Sequence, residues 1–520
     1  MIRADVVVIG SGPAGFSVTQ SLLTQGVKVT VIPGGEWSEG RFAKTLEGEK
    51  SDSPWGHEPL ETHRRAAIGG AGDLWGGRSI LFDKIDFDAR PWVPDSGWPI
   101  DYNEYLSFFE PGTKLLGIDH HTHALPHFTT DASVFENADL TVSEGGVELW
   151  SKSTEFSGMW KKLAKAHPGL RLLVGAYCTK ISADETGHVT GVHCVSAGET
   201  FEIHGEAYVV ATGALENPRL LLNAGYGKSL PALGRYYMSH LWFTTYEFGG
   251  RPLPSSFDLK RVRGTYRRRR WRLSDSAQEE NQLLNAIGFA GREPVNRLSM
   301  HDSKPHAANI QMIEDRAFDA NGHPQKTIGF MKSMLWSHRG IVPVTQHLLA
   351  SAVGWKKPLL LPSRRYGRWA LWFQGEHAPN PSSRVALTNA KDALGNPKIR
   401  VDVNFSELDF DTAARFHQLF DALAINEGFT AYSSRSFSPD MFREFITGQF
   451  NSNAHQAGTT RMGRDQQRSV VDANGKVHSS DNLYVAGSSV FPTSSHANPT
   501  LSIVMLSIRL GQHLARGIRK

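Results

Sequence analysis

The chain begins with a short unbroken apolar run, Val6-Val7-Val8-Ile9, which gives way to Gly10-Ser11-Gly12-Pro13-Ala14-Gly15 and then to apolar positions at helical spacing as far as about Gln25. This pattern predicts a buried strand, a tight glycine turn and a helix, with a second strand at Val27 to Ile32. From Leu170 to Ala211 the period changes to alternation, with a turn around Asp184 to Gly187, and the stretch closes on a buried strand that ends in Ala211-Thr212-Gly213. Such a strand places its loop at the carboxyl edge of a parallel sheet. Asp101 with Glu104, after the turn Ser96 to Pro99, predicts a helix start with a capping box, and Asn498-Pro499 predicts another start. Together these elements predict an α/β fold.

The glycine turn lies between strand and helix, the context in which Gly-x-Gly-x-x-Gly holds a dinucleotide. Gly10 allows the turn, Gly12 lets the backbone approach a pyrophosphate, and Gly15 lets helix and strand lie close, with the helix N-terminus facing the phosphate charge. An acidic residue usually ends the second strand and binds the ribose. Here Pro33-Gly34-Gly35 follows Ile32, so Glu36 reads either as a ribose ligand displaced into a loop or as a solvated loop carboxylate. A second cluster, Gly69-Gly70-Ala71-Gly72-Asp73-Leu74-Trp75-Gly76-Gly77, permits close approach to a flat ligand, and Trp75 either packs on a ring or fills the core.

Composition narrows the class. At 520 residues the chain exceeds a single core, so two domains or one with a large insertion are expected. The net charge of +4 gives nucleic-acid binding no support. Lys260 to Arg272 is locally very basic; it reads first as a solvated strand pair or loop, and otherwise as a landing site for an acidic substrate, an acidic protein or anionic lipid. Arg364 to Trp369 adds to the second reading. The two cysteines, Cys178 and Cys194, sit in strand-like runs and read as buried free thiols, with no metal site. No apolar leader precedes the first strand and no run of about 18 apolar residues appears, so a cytoplasmic protein without a membrane span is expected.

The chemistry concentrates near the C-terminus, in His455-Gln456-Ala457-Gly458-Thr459 and in Val485-Ala486-Gly487-Ser488-Ser489 through His496-Ala497-Asn498-Pro499-Thr500. With the two glycine clusters, Gly97-Trp98-Pro99, Ala211 to Arg219, Leu233-Gly234-Arg235 with His240, and Ser383 to Leu387, these segments resemble the glucose-methanol-choline oxidoreductase family from one end of the chain to the other and in family order. The last motif resembles its bacterial sugar and polyol branch. The resemblance implies a Rossmann-like FAD domain at 1–100, 155–230 and 465–520 and a substrate domain, built on an antiparallel sheet flanked by helices, at 101–154 and 231–464. The region from Gly249 to Gln374, with the apolar stretch Ile341 to Leu361, is expected to shape the substrate pocket or an interaction surface.

The same resemblance implies FAD contacts from Gly10, Gly12, Gly15, Glu36, Gly70, Trp75, Gly76, Cys178, Ala211, Thr212, Gly213, Gly487, Ser488, Asn498, Pro499 and Thr500. Relatives that bind FAD covalently carry histidine immediately before the tryptophan; Leu74 stands there, so non-covalent FAD is expected. Alcohol oxidation needs a base for the hydroxyl proton and a hydride acceptor, the flavin N5. Imidazole, with an unperturbed pKa of about 6.5, suits the first task, and His455 occupies the position of the family's catalytic histidine. Asn498 would hold the substrate oxygen by its amide. His496 reads either as lining the site or as a helix-entry residue facing away, His240 as a support of the fold, and Trp369 and Trp372 as a sugar-stacking face or as core. The expected substrate is a small alcohol of carbohydrate type, a sugar, aminosugar or glycoside, with oxygen, a quinone or a protein as electron acceptor. The rival reading is an FAD-containing lyase or a non-redox flavoprotein scaffold of the same fold.

Overall fold

The computed structural model describes residues 2–40, 42–119, 135–142, 147–151, 154–254, 257, 260–262, 265–291, 297–298, 368–432, 436–448, 450 and 454–518. The apolar stretch Ile341 to Leu361 and the basic stretch Arg364 to Gly367 lie outside them.

Strand Ile2–Ile9 lies between Val29–Ile32 and Glu199–Val210, parallel to both. Leu170–Leu172 extends the sheet on one side, and Leu483–Val485 runs parallel to Tyr208 to Val210 on the other. These parallel strands are covered on both faces, which is why they read as continuous apolar runs rather than as alternation; Val6, Val7, Val8, Val31 and Val210 have no accessible surface. Helix Pro13–Thr24 packs on the terminal helix Thr500–Ile518 so closely that a methyl group on Gly511 would fall 2.6 Å from Ser21 Cβ. The N-terminal half of Glu199–Val210 leaves the parallel region to pair with Val189–Ser196, which in turn pairs with Tyr177–Ala183. The alternating stretch is therefore an antiparallel extension of the same sheet. Cys178 and Cys194 face each other across it as buried free thiols.

A second, antiparallel sheet has His240–Gly249 and Arg368–Glu376 at its centre. Its side chains alternate between two environments. Leu241, Phe243, Leu371 and Phe373 face helix Glu407–Asn426 in an aromatic core with Phe416 and Phe420, whereas Trp242 and Trp372 cluster with Ile287 and Phe289 on the other face. Trp369 belongs to the helix-side core, so of the two tryptophans considered for sugar stacking only Trp372 lies on the second face. The helix starts at a capping box formed by Ser406 and Asp409. The box expected at Asp101 does not close: Asp101 caps through the Asn103 N–H, but Glu104 reaches Arg509 instead, at 2.7 Å.

The arginine run is not solvated. Arg267, Arg268 and Arg269 are buried in strand Thr265–Arg269, Arg272 in strand Trp271–Leu273, and Arg270 between the two. Glu148 accepts from Arg268 at 2.6 and 3.0 Å and also from Arg78, whose guanidinium and that of Arg268 lie 4.5 and 4.1 Å from the centre of the Phe289 ring. Arg272 pairs with Asp275 at 2.8 Å and with Asp83 at 3.4 Å. Burial works to raise the Glu148 pKa, but Arg268 and Arg78 outweigh it and hold the carboxyl at about 2. A guanidinium run is stable inside only with such partners, and they come from positions 120 and 189 residues away.

Candidate active site

Where the first sheet ends, its loops enclose an elongated cavity with about 1080 Å³ of empty space, mouth included, running from the first glycine turn to Gln456. Gly10 takes φ +110°, and a methyl group there would lie 2.3 Å from the Ala211 carbonyl oxygen. A methyl group on Gly15 would lie 2.1 Å from the Gly10 oxygen, which is the close strand–helix packing the third glycine permits. A methyl group on Gly12 would meet no protein atom within 4 Å: it would project into the cavity, at the N-terminus of helix Pro13–Thr24. A bare backbone at a helix start, facing a long cleft, fits the pyrophosphate of a dinucleotide.

Of the residues named for cofactor contact, Gly10, Gly12, Gly70, Cys178, Ala211, Thr212, Gly213, Gly487 and Ser488 line this cavity. Gly15 lies behind it. Glu36 is exposed in the loop after Val29–Ile32 and is not one of its walls. Trp75 packs on Phe156 and donates Nε1 to the Thr154 carbonyl at 3.2 Å; neither it nor Gly76 faces the cavity. Pro499 and Thr500 start the terminal helix, whose Ile503 does. Sequence reasoning did not single out His63, Arg64, Tyr177 or Glu216 for these walls: the first three lie outside its motifs, and Glu216 lies within the segment Ala211 to Arg219 but was given no role there. Arg64 pairs with Glu216, which Arg219 also holds.

Beyond Gln456, His455 and Asn498 come together. Asn498 Nδ2 lies 3.0 Å from His455 Nε2, and both residues are buried. Trp242 stacks on the His455 ring at 5.9 Å between centroids. His240 Nδ1 is 2.8 Å from His455 Nδ1, and Gln374 Nε2 reaches His240 Nδ1, the His496 carbonyl and Asn498 Oδ1. Strand alternation explains the grouping: His240 and Trp242 are two residues apart, and Gln374 is the cross-strand partner of Trp242. Burial pushes the His240 pKa down to about 3, so its ring is neutral. His496, wholly buried, is held between Asp83 at 2.7 Å and Arg270 at 3.3 Å; burial and then the Arg270 charge push it to about 4. Only its main-chain oxygen reaches Gln374. His240, expected as a fold support, touches His455 directly.

A parallel sheet with a glycine-turn cleft, and an antiparallel sheet whose His240, Trp242 and Gln374 meet a buried histidine–asparagine pair, define a dinucleotide-dependent oxidoreductase. Residues 379–507 match the family described as GMC oxidoreductase, and residues 4–241 match that described as pyridine nucleotide-disulphide oxidoreductase. The chain is 23% identical to the 6'''-hydroxyparomomycin C oxidase of Streptomyces lividus, over 98% of this chain and 91% of that protein. It is also 23% identical to the 2-methyl-1,2-propanediol dehydrogenase of Mycolicibacterium austroafricanum, over 99% and 95%. The fold matches the crystal structure of pyridoxine 4-oxidase from Mesorbium loti with a TM-score of 0.57 at 15% identity, covering 98% of this chain and 99% of that one. Residues 379–507 thus carry the GMC oxidoreductase pattern, and the chain is an FAD-dependent oxidoreductase acting on CH–OH groups.

Proposed function

We propose that this enzyme oxidises a hydroxyl-bearing carbon of a carbohydrate-like molecule, with His455 as the base and Asn498 as the group that holds the substrate oxygen. The observation that carries the reading is the buried contact of His455 Nε2 with Asn498 Nδ2 at the end of the dinucleotide cavity. A hydroxyl placed against both atoms, in exchange for their mutual hydrogen bond, gives its proton to the imidazole while the amide donates to its oxygen. Trp242 stacks on the imidazole and belongs to a buried aromatic cluster with Trp372 and Phe289, whose rings stack 6.2 Å apart. The names of the two relatives, an aminoglycoside oxidase and a diol dehydrogenase, support a polyhydroxylated substrate. FAD, when bound along the glycine-turn cavity, supplies the hydride acceptor.

The FAD-binding part is proposed as 1–100, 155–230 and 465–520, with 101–154 and 231–464 for substrate; its support is that one hydrophobic core draws mainly on the first set and a second core on the other. A reducing, cytoplasmic setting is part of the same reading, supported by a chain of 520 residues with two cysteines, both buried. No helix among the described residues is long and apolar enough to cross a membrane.

The test is anaerobic mixing of the FAD-loaded enzyme with sugars, aminosugars, glycosides and simple diols, followed by flavin absorbance. Bleaching by a polyhydroxylated compound is expected; a flavin that dithionite reduces and no member of a broad panel does would sink the proposal. Readmitting air then tells an oxygen-using enzyme from one that needs a quinone or protein acceptor. Because Leu74 precedes Trp75, non-covalent flavin is also expected: acid or heat should release it to the supernatant, and flavin remaining on the precipitated chain would contradict this.

A further inference from the structure

We propose that His240 and Gln374 fix the ring tautomer of His455, keeping hydrogen on Nδ1 and the lone pair on Nε2, where the substrate hydroxyl is received; the inference rests on the alcohol-oxidation reading above. Neither residue touches the reacting atoms in this scheme. They are positioning residues.

Arg78 can only donate. Arg78 Nη1 lies 3.0 Å from Gln374 Oε1, and a guanidinium has no acceptor, so that end of the amide is its oxygen and the other end its NH₂. Gln374 Nε2 faces the His496 carbonyl at 2.5 Å, His240 Nδ1 at 3.2 Å and Asn498 Oδ1 at 3.4 Å. An amide nitrogen has two hydrogens, and the two oxygens take them, so the partner of His240 Nδ1 is the nearer His455 ring. The other nitrogen of that ring faces only acceptors, the carbonyls of Ser495 at 2.9 Å and Ser494 at 3.4 Å, so Nε2 carries the hydrogen. Burial keeps this ring from taking a second proton. His455 Nδ1 stands 2.8 Å from His240 Nδ1, and two ring nitrogens so close share one hydrogen. His240 has none to give at that atom, so it belongs to His455 Nδ1.

A second route reaches the same answer. Gln374 faces the oxygen of the Asn498 amide, which turns the amide nitrogen toward His455 Nε2 at 3.0 Å. A donor there demands a lone pair on Nε2. This second route runs from Arg78, itself held on Glu148, and is independent of the carbonyls that set His240. The consequence is chemical: in the other tautomer the reacting nitrogen would already hold a hydrogen and could accept nothing. Once Nε2 has taken the substrate proton, the Nδ1–H of the imidazolium still donates to His240, so the charged ring keeps its partner.

Protein loaded with FAD and labelled with ¹⁵N in its histidines tests this without substrate, through long-range ¹H–¹⁵N correlations of the rings, with His455 signals assigned by their loss in His455→Ala. The expected pattern is a protonated Nδ1 and a bare Nε2. His240→Phe retains a buried ring but removes the acceptor, and should shift His455 toward the Nε2–H form. His240→Gln supplies a side-chain oxygen to accept from Nδ1 and should restore the first pattern. In the phenylalanine variant, flavin reduction at saturating substrate should slow by about 10²-fold with little change in substrate affinity, and the glutamine variant should recover most of the rate. An Nε2–H pattern in the parent protein overturns the assignment by itself, whether or not a variant folds. So does an unchanged Nδ1–H pattern in His240→Phe. If the tautomer is as expected and no alcohol reduces the flavin, the proposed reaction fails and the assignment stands.

Discussion

Replacing His455 by alanine should slow anaerobic reduction of the bound flavin by about 10²–10⁴-fold, the usual contribution of a positioned general base, while leaving FAD stoichiometry and the absorbance spectrum of the oxidised protein unchanged. The separation of effects follows from the geometry. His455 is not a wall of the cavity, which only its neighbour Gln456 reaches, and the dinucleotide cradle is lined by Gly10 to Ala14 and Ala211 to Gly213. Removing an imidazole from between Trp242, His240 and Asn498 leaves those loops in place. Stopped-flow measurement of flavin bleaching, with the parent enzyme's best substrate, reads the rate directly. Reduction at the parent rate would remove His455 as the base.

The second large effect is on stability. Glu148 is wholly buried and is the carboxylate that both Arg78 and Arg268 contact. Glu148→Ala should lower unfolding stability by about 3–5 kcal/mol, because deleting one partner of a buried ion pair strands the others in a medium that solvates them poorly. Urea or thermal unfolding measures it, and a midpoint within error of the parent would show that the cluster is not a structural unit. The parent protein carries the corresponding pH signature. The folded pKa of Glu148, about 2, lies below its ordinary 4.5. A depressed carboxylate pKa contributes stability that is full above the unfolded value and lost as pH falls through the folded one. Acid destabilisation between about pH 4.5 and 2 is therefore expected in the parent and should be weaker in the variant. The same deletion frees Arg78, so it should also loosen the Gln374 amide that Arg78 orients.

Much of the site was legible because its parts are local. The glycine turn, the Ala211-Thr212-Gly213 loop and the Asn498-Pro499 helix start each lie in one short segment, where residue type and backbone conformation are bound together. Gly10 at φ +110° is a case in which glycine is demanded by an adjacent carbonyl, and such demands leave a fixed spacing in the chain. The exceptions are instructive. Glu36 follows a strand that ends in Pro33-Gly34, and the loop carries its side chain into solvent rather than along the cavity. Trp75 sits in the right cluster but turns toward Phe156. In both, the segment was identified from its residues, while the side-chain direction depended on neighbours distant in the chain.

The arginine run shows the limit most clearly. Charge density along a sequence suggests solvent exposure, yet Arg267 to Arg270 are inside, and what permits it is a carboxylate 120 residues from Arg268. His240 and Gln374 obey the same logic: nothing in either segment marks them as partners of His455, and the contact between Arg78 and Gln374 spans 296 positions. The parallel sheet, its glycine turn and the helix start at Asn498 could be read from the chain alone, since apolar runs, glycine freedom and helix starts act over a few residues, while His455 and Asn498 were singled out by resemblance. Only the tertiary structure decided which charges are buried, which face of each strand meets the site and which nitrogen of His455 bears the lone pair, because these follow from strand register and from donors and acceptors brought together across the whole chain.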